Sequence, residues 1–368
     1  MSTQATAAVL RTAGAPLELT EITVDPPRQG EVAVEIVAAG LCHSDLTVTA
    51  GKIPAPTPAV PGHEAAGVVT EVGPGVRSVE PGDHVILSYR PNCGGCTQCV
   101  RGRPVLCEVA ARLRRTGLLP DGTSRLHRGD EQLFHFSGVS AFTEHTVVPE
   151  SGVVRVDSSM PLDVLSVVGC AVMTGYGAVV NAAQVRPGQS ALVIGCGGVG
   201  INAVQACRIS GANPIIAVDR SPAARSLAQE LGATNVVDPD ADDLAAVVAE
   251  LTDGGVEVAI EAVGVGALIE SSVDAHVTHG EILLRCDITG TQVERGVDSS
   301  AVRESFVQND RGLVRETQPF VPGSRTSHVD RSQRPLRSNS NTCWKVGRLV
   351  LGNVFGRSPG TNPDRAAV

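Results

Sequence analysis

The sequence predicts an α/β protein: a β-rich first half followed by a doubly wound parallel sheet. Three observations carry this. Short Val/Ala/Ile runs ended by glycine fill residues 1–150. From about residue 160 apolar strands alternate with helix-length segments. A glycine-rich turn, GCGGVG, joins the first such strand to the first such helix. Runs of the first kind suit curled β structure, and strict alternation suits a parallel sheet with helices on its faces.

In the first half EVAVEIVAAG (31–40) and HEAAGVVTEVG (63–73) read as strands. In VEPGDHVIL (79–87) a Pro-Gly-Asp turn precedes an apolar strand. In the second half SALVIGCGGVGINAVQACRISGA (190–212) reads as strand, turn and helix, and PIIAVD (214–219) as a buried strand. SPAARSLAQELGA (221–233) is a helix with a serine cap and a glycine stop. TNVVD (234–238), DDLAAVVAELTDG (242–254) and VEVAIEAVG (256–264) continue the alternation, and EILLRCDI (281–288) reads as a further strand. Residues 322–343 are rich in Ser, Arg, Asn and Pro, a disordered composition, before a short apolar run at 347–356.

The 368 residues suffice for two domains, and 42 % apolar content with 2 % aromatics implies an aliphatic core. A net charge of −9 argues against nucleic acid as a partner. After residue 270 the balance reverses, to 13 Lys+Arg against 10 Asp+Glu. The start, MSTQATAAVL, lacks a basic segment followed by an apolar run, and no run of 18 apolar residues occurs, so neither export nor a membrane span is expected. The chain is read as cytoplasmic, where clustered cysteines among its ten suggest metal rather than disulfides.

GCGGVG places Gly195, Gly197, Gly198 and Gly200 after a strand, and Asp219 ends the next strand. In that context Gly195 permits the tight turn, Gly197 lets a pyrophosphate approach the backbone, and Gly200 lets the helix pack on the strand. Asp219 would accept hydrogen bonds from the adenosine ribose, which favours NAD over NADP, and Arg220 beside it softens that preference. PNCGGCTQCVRGRPVLC (91–107) holds Cys93, Cys96, Cys99 and Cys107. Four thiolates make a closed tetrahedral zinc site, and iron–sulfur binding is the alternative. An open zinc site needs a mixed Cys/His set, for which GLCHSD, VPGHE and VVGCAVMTGYG offer Cys42, His63 with Glu64, and Cys170.

GLCHSD, GHEAAGVVTEVGPGV, PGDHVI, the four-cysteine loop, LLPDGTSRL, AFTEHTVV, GCAVMTGYGA and GCGGVG with VD occur in order over residues 1–265. Together they resemble the zinc-dependent medium-chain alcohol dehydrogenases. The resemblance implies a GroES-like catalytic domain over 1–155 with a structural-zinc lobe at 93–107, a Rossmann NAD-binding domain over 156–290, and an atypical tail over 291–368. It implies Cys42, His63 and Cys170 as ligands of a catalytic zinc (alcohol dehydrogenase being a standing example of a Cys2His site) and the four clustered cysteines as ligands of a structural zinc. It implies Glu64 as an acid beside the metal, Ser44 as the hydroxyl that takes the alcohol proton, and Asp45 as the carboxylate that supports the ligating histidine. His43 would contact cofactor phosphate, Thr174 would pack on the nicotinamide, and Tyr89 would wall the substrate pocket. A relay histidine after Ser44 is missing, and Thr47 or Thr49 stands nearest.

The implied reaction is hydride transfer between an alcohol, or a hydroxymethyl-thiol adduct, and NAD, with zinc polarising the substrate oxygen. LLPDGTSRL resembles the thiol-dependent formaldehyde dehydrogenase branch, where Arg112, Arg114 or Arg115 would hold an adduct carboxylate or merely solvate a loop. Other readings are an enzyme that keeps its nicotinamide bound and an impaired, zinc-stabilised paralogue. The family's C-terminal landmarks are not recognised after residue 265. That loss predicts a reading-frame shift near 270–280, an exposed last strand, weak stability and activity, and doubt over the family's homo-oligomer.

Overall fold

The computed structural model describes residues 1–265 and 268 in full, and the backbone of five strands at 276–284, 305–309, 312–316, 345–346 and 349–351. The tail composition read at 322–343 lies outside the described residues.

The first half is two sheets around one aliphatic core. β1 (Thr3–Val9) and β2 (Glu18–Val24) are followed by β3 (Glu31–Gly40) and the short β4 (Ala59–Val60). β5 (Glu64–Val72) and β6 (His84–Leu87) come next. β7 (Leu126–Arg128), β8 (Glu131–His135), β9 (His145–Pro149) and β10 (Val153–Arg155) complete the set. One sheet runs β1-β2-β7-β8-β4 and the other β10-β6-β5-β3, with β9 also on β3. Their inward faces are Val9, Ile22, Leu126 and Leu133 from the first sheet and Val34, Ile36, Val69, Val85 and Leu87 from the second, all nearly solvent-free. This aliphatic packing is what a chain with 2 % aromatics has available.

The second half is a parallel sheet. β11 (Ala191–Ile194), β12 (Ile215–Val218), β13 (Asn235–Val237) and β14 (Val256–Glu261) pair in the order β13-β12-β11-β14. β11 and β12 are buried at every position, as strands covered on both faces must be. The expected Ser221 cap accepts from the Ala224 N–H at 3.4 Å, and Gly232 ends that helix. The predicted exposed edge is corrected: β15 (His276–Leu284) lies parallel along β14 and starts earlier than the 281–288 reading. β16 (Ser305–Asn309) and β17 (Gly312–Glu316) extend that sheet, while β18 (Lys345–Val346) and β19 (Leu349–Leu351) form a hairpin, β19 lying along β3. A helical run over 168–182 joins the halves, its first and last five residues wound as π-helix.

Candidate metal centres and cofactor turn

β3 delivers the chain to Cys42, which caps the short helix α1 (His43–Thr49). A Cβ on Gly40 would lie 2.2 Å from the Glu64 carboxylate, so only glycine leaves room for that acid. His63 and Glu64 enter from the start of β5, and Cys170 from the π-wound turn. Donor atoms of Cys42, His63, Glu64 and Cys170 all lie within 4.8 Å of one another. Local π-winding is a common device for turning a side chain into a site.

Asp45, 1 % exposed, organises the cluster. Its Oδ2 accepts from the Cys42 N–H at 3.0 Å, and its Oδ1 from the Gly62 N–H at 3.2 Å. Oδ1 also lies 2.9 Å from His63 Nδ1, which places the proton on Nδ1 and leaves Nε2 as the donor facing the thiols. The hydrogen bond with Cys170 holds Cys42 well below an ordinary thiol, against its burial. Burial, reinforced by Cys42, pushes Glu64 up to about 8. Two buried cysteines beside an imidazole are a donor set for a divalent cation of borderline softness, and three such ligands with a carboxyl beside them suit an open site.

The second cluster is built on α2 (Thr97–Val100) and the N-terminus of α3 (Glu108–Thr116). The Cys93 N–H points at Cys107 Sγ, and the Cys96 N–H at Cys93 Sγ, each at 3.3 Å. Cys96 Sγ and Cys107 Sγ are 3.9 Å apart, against the roughly 3.8 Å that a tetrahedron of ~2.3 Å zinc–sulfur bonds requires. All four sulfurs lie within 4.8 Å, which fits one ion and is too tight for an iron–sulfur cage. Backbone N–H donation draws Cys96 down to about 6, while burial drives Cys99 up to about 12.

In the glycine turn Gly195 has φ +89°, and a Cβ on Gly200 would stand 1.6 Å from the Gly195 carbonyl oxygen. A Cβ on Gly197 would meet nothing within 4 Å, so space for a ligand lies over the turn. Gly198 begins α4 (Gly198–Ile209) and packs on Ala171, next to Cys170. Asp219 is held rigidly: Oδ2 accepts from the Cys196 N–H and Oδ1 from the Ser221 N–H, both at 2.8 Å. Arg220 Nε donates to Asp240 at 2.8 Å in an exposed ion pair.

Tyr89 meets the His63 ring edge-on, with centroids 5.5 Å apart. Phe136 does the same at 5.6 Å, a contact that sequence reasoning missed. Ser44 Oγ lies 3.7 Å from Cys42 Sγ. His43 is exposed on α1, and Thr174 is half-buried in the 168–182 run. Thr47 donates to the His43 carbonyl and Thr49 to the Asp45 carbonyl, both at 2.8 Å, so their protons are committed to the helix. Arg112 donates to the Pro120 carbonyl, holding its own loop.

Residues 28–158 match the family model for the alcohol dehydrogenase GroES-like domain, and 198–286 that for zinc-binding dehydrogenase. The second match runs through 270–280, so the family pattern persists beyond the stretch where it was read to end. The chain is 45 % identical over 268 residues to the NDMA-dependent alcohol dehydrogenase of Amycolatopsis methanolica, covering 73 % of this chain and 71 % of that one. It is 41 % identical over 282 residues to an S-(hydroxymethyl)glutathione dehydrogenase of Synechocystis sp., covering 76 % of each. The benzyl alcohol dehydrogenase of Acinetobacter calcoaceticus superposes with a TM-score of 0.77 at 35 % identity, over 84 % of this chain and 85 % of that one.

Proposed function

The chain belongs to the zinc-dependent medium-chain alcohol dehydrogenase family, and on that premise we propose how its residues divide the work. It is an NAD-dependent oxidoreductase of alcohols. Cys42, His63 and Cys170 hold the catalytic zinc, and Cys93, Cys96, Cys99 and Cys107 the structural one. The observation that carries this is the convergence of Cys42, His63, Glu64 and Cys170 donors within 4.8 Å beside the Tyr89 and Phe136 rings.

When bound, zinc supplies Lewis acidity toward the alcohol oxygen and NAD accepts the hydride. The protein's residues do the rest. Asp45 fixes the His63 tautomer, Ser44 receives the alcohol proton, and Glu64 stands as a carboxyl partner beside the metal. With Thr47 and Thr49 committed to backbone carbonyls, the proton leaves Ser44 through water. Gly195, Gly197, Gly198 and Gly200 cradle the pyrophosphate, His43 approaches it from the other half, Asp219 binds the ribose, and Thr174 packs on the nicotinamide.

NAD reduction over a panel of alcohols, with zinc counted per chain, tests the assignment. Two zinc ions and turnover are expected, and failure of any alcohol to reduce NAD would overturn it. Likeness to the Synechocystis enzyme favours including a hydroxymethyl-thiol adduct in the panel, with Arg112, Arg114 and Arg115 as candidate adduct contacts. Copurification of NAD would mark a permanently bound cofactor. The division into 1–155, 156–290 and 291–368 is proposed, with a change of reading frame after residue 286, to be tested by reading the gene in its other two frames. None of the eight described cysteines is in a disulfide, which supports a reducing, cytoplasmic setting. Among the described residues no helix is long and apolar enough to cross a membrane. A homo-oligomer is proposed from the family, and sedimentation tests it.

A further inference from the structure

Two arginines follow Asp219 in the chain, and the structure spends them differently. Arg220 stands in an exposed pair with Asp240. Arg225 lies one turn into α5 (Pro222–Leu231), its side chain only 16 % exposed, and reaches back to the end of β12. Its Nη1 donates to the Asp219 carbonyl at 2.7 Å and to the Arg220 carbonyl at 3.0 Å. Its Nη2 pairs with Asp238 Oδ2 at 2.9 Å, just past the end of β13. Asp238 is itself held: its N–H donates to Asp242, and its Oδ1 accepts from the Asp240 N–H. One guanidinium thus straps the ends of two neighbouring strands to the helix between them. A planar fork suits acceptors spread in this way, and the point charge of a lysine does not.

Beyond Val218 the link from β12 to β13 is the Asp219 N–H on the Val237 carbonyl, a long bond of 3.3 Å. Asp219 Oδ1 takes its donor, the Ser221 N–H, from the strapped turn itself, and Oδ2 takes the Cys196 N–H from the glycine turn. Each oxygen keeps lone-pair capacity for a further donor, and its aim follows the backbone of 219–221. We infer that Arg225 is the positioning residue of the cofactor's ribose site: it holds Asp219 aimed at a vicinal diol and is itself committed away from a 2′-phosphate. The inference rests on reading Asp219 as the ribose acceptor of NAD. A phosphate brought to Asp219 would meet the carboxylate, while the guanidinium behind it is already answered by an acid and two carbonyls.

The test uses the zinc-loaded full chain freed of nucleotide, and reads NADH and NADPH dissociation constants by calorimetry. Arg225→Met is expected to weaken NADH about tenfold and NADPH less than about threefold. Arg225→Lys, which keeps the charge and loses the fork, falls between. KM for NAD should rise without a fall in kcat, as for a group that acts on binding alone. In an Asp219→Ala background Arg225→Met should change NADH affinity less than about twofold, because the carboxylate it positions is gone. Asp238→Asn, which leaves both carbonyl contacts in place, should lower the NADH-over-NADPH preference about threefold. If Arg225→Met does not fold, that variant decides alone, and an unchanged preference there overturns the inference. Equal losses for the two dinucleotides in Arg225→Met, a larger loss for NADPH, or an undiminished effect in Asp219→Ala overturns it as well. An unsubstituted chain that prefers NADPH, or binds neither dinucleotide, sinks the NAD reading and the inference with it, before any variant is compared.

Discussion

Replacing Arg125 with methionine should remove more stability than any other single change in the first half. Arg125 is fully buried, and Glu31 is 3 % exposed. Nε and Nη2 of the arginine reach the two Glu31 oxygens at 2.8 and 2.7 Å, and Nη2 also reaches Asp121 at 2.6 Å. Methionine fills the aliphatic stem but leaves the Glu31 carboxylate with the Arg28 N–H as its remaining donor. Stranding one member of a buried pair costs about 3–5 kcal/mol. In Glu31→Gln/Arg125→Met no buried charge is stranded, since the half-exposed Asp121 keeps Arg28, so the pair should couple favourably by ~2 kcal/mol or more. Urea unfolding followed by circular dichroism measures both. A loss under ~1 kcal/mol for the single variant, or strict additivity in the double, would refute the reasoning.

Three further outcomes are expected. His135 is buried, and burial together with the Arg125 charge pushes it down to about 3. Because the folded state binds its proton more weakly, its contribution is present above about pH 6.5 and is lost as pH falls toward 3. The slope is at most ~1.4 kcal/mol per pH unit, and His135→Gln should remove it from pH-dependent melting. Cys170→Ser should retain one zinc per chain and lose NAD reduction, whereas Cys96→Ser should lower the melting temperature before it lowers turnover; elemental analysis with calorimetry separates them. Asp240→Asn frees Arg220, but their pair is exposed (78 % and 61 %), so the NADP-over-NAD ratio of kcat/KM should rise only a few-fold. A rise beyond tenfold would mean that Asp219 is not the main barrier to a 2′-phosphate.

The metal ligands and the cofactor turn were legible because each sits in a short motif whose residue types have few other uses. The four-cysteine loop and GCGGVG with Asp219 need no knowledge of distant contacts. LLPDGTSRL was legible only as a resemblance. Its physical meaning, a buried clamp of Asp121, Thr123 and Arg125 onto Glu31, depends on a partner far back in the chain. Phe136 escaped for the same reason: nothing local marks one phenylalanine as the one facing His63. Thr47 is the opposite case, where the information was local. Once LTVT is helical, a threonine hydroxyl falls naturally on the carbonyl four residues earlier, here that of His43. The strand at 276–284 begins before the apolar run EILL that marked it in the sequence, in the polar stretch HVTHG, where no hydrophobic alternation signals a strand.

The two clusters also differ as crosslinks in a polymer. An ion on Cys93, Cys96, Cys99 and Cys107 closes a short loop that the unfolded chain would close often by itself. One shared by Cys42 and Cys170 ties the start of α1 to the helical run that packs on the nucleotide turn, with most of the first half between them. Loop-closure entropy grows with the logarithm of length, so the longer tie removes ~2 kcal/mol more from the unfolded ensemble. By that measure the metal expected to carry out the chemistry is also the stronger staple between the halves, and a chelator that reaches it first should loosen the molecule at its waist.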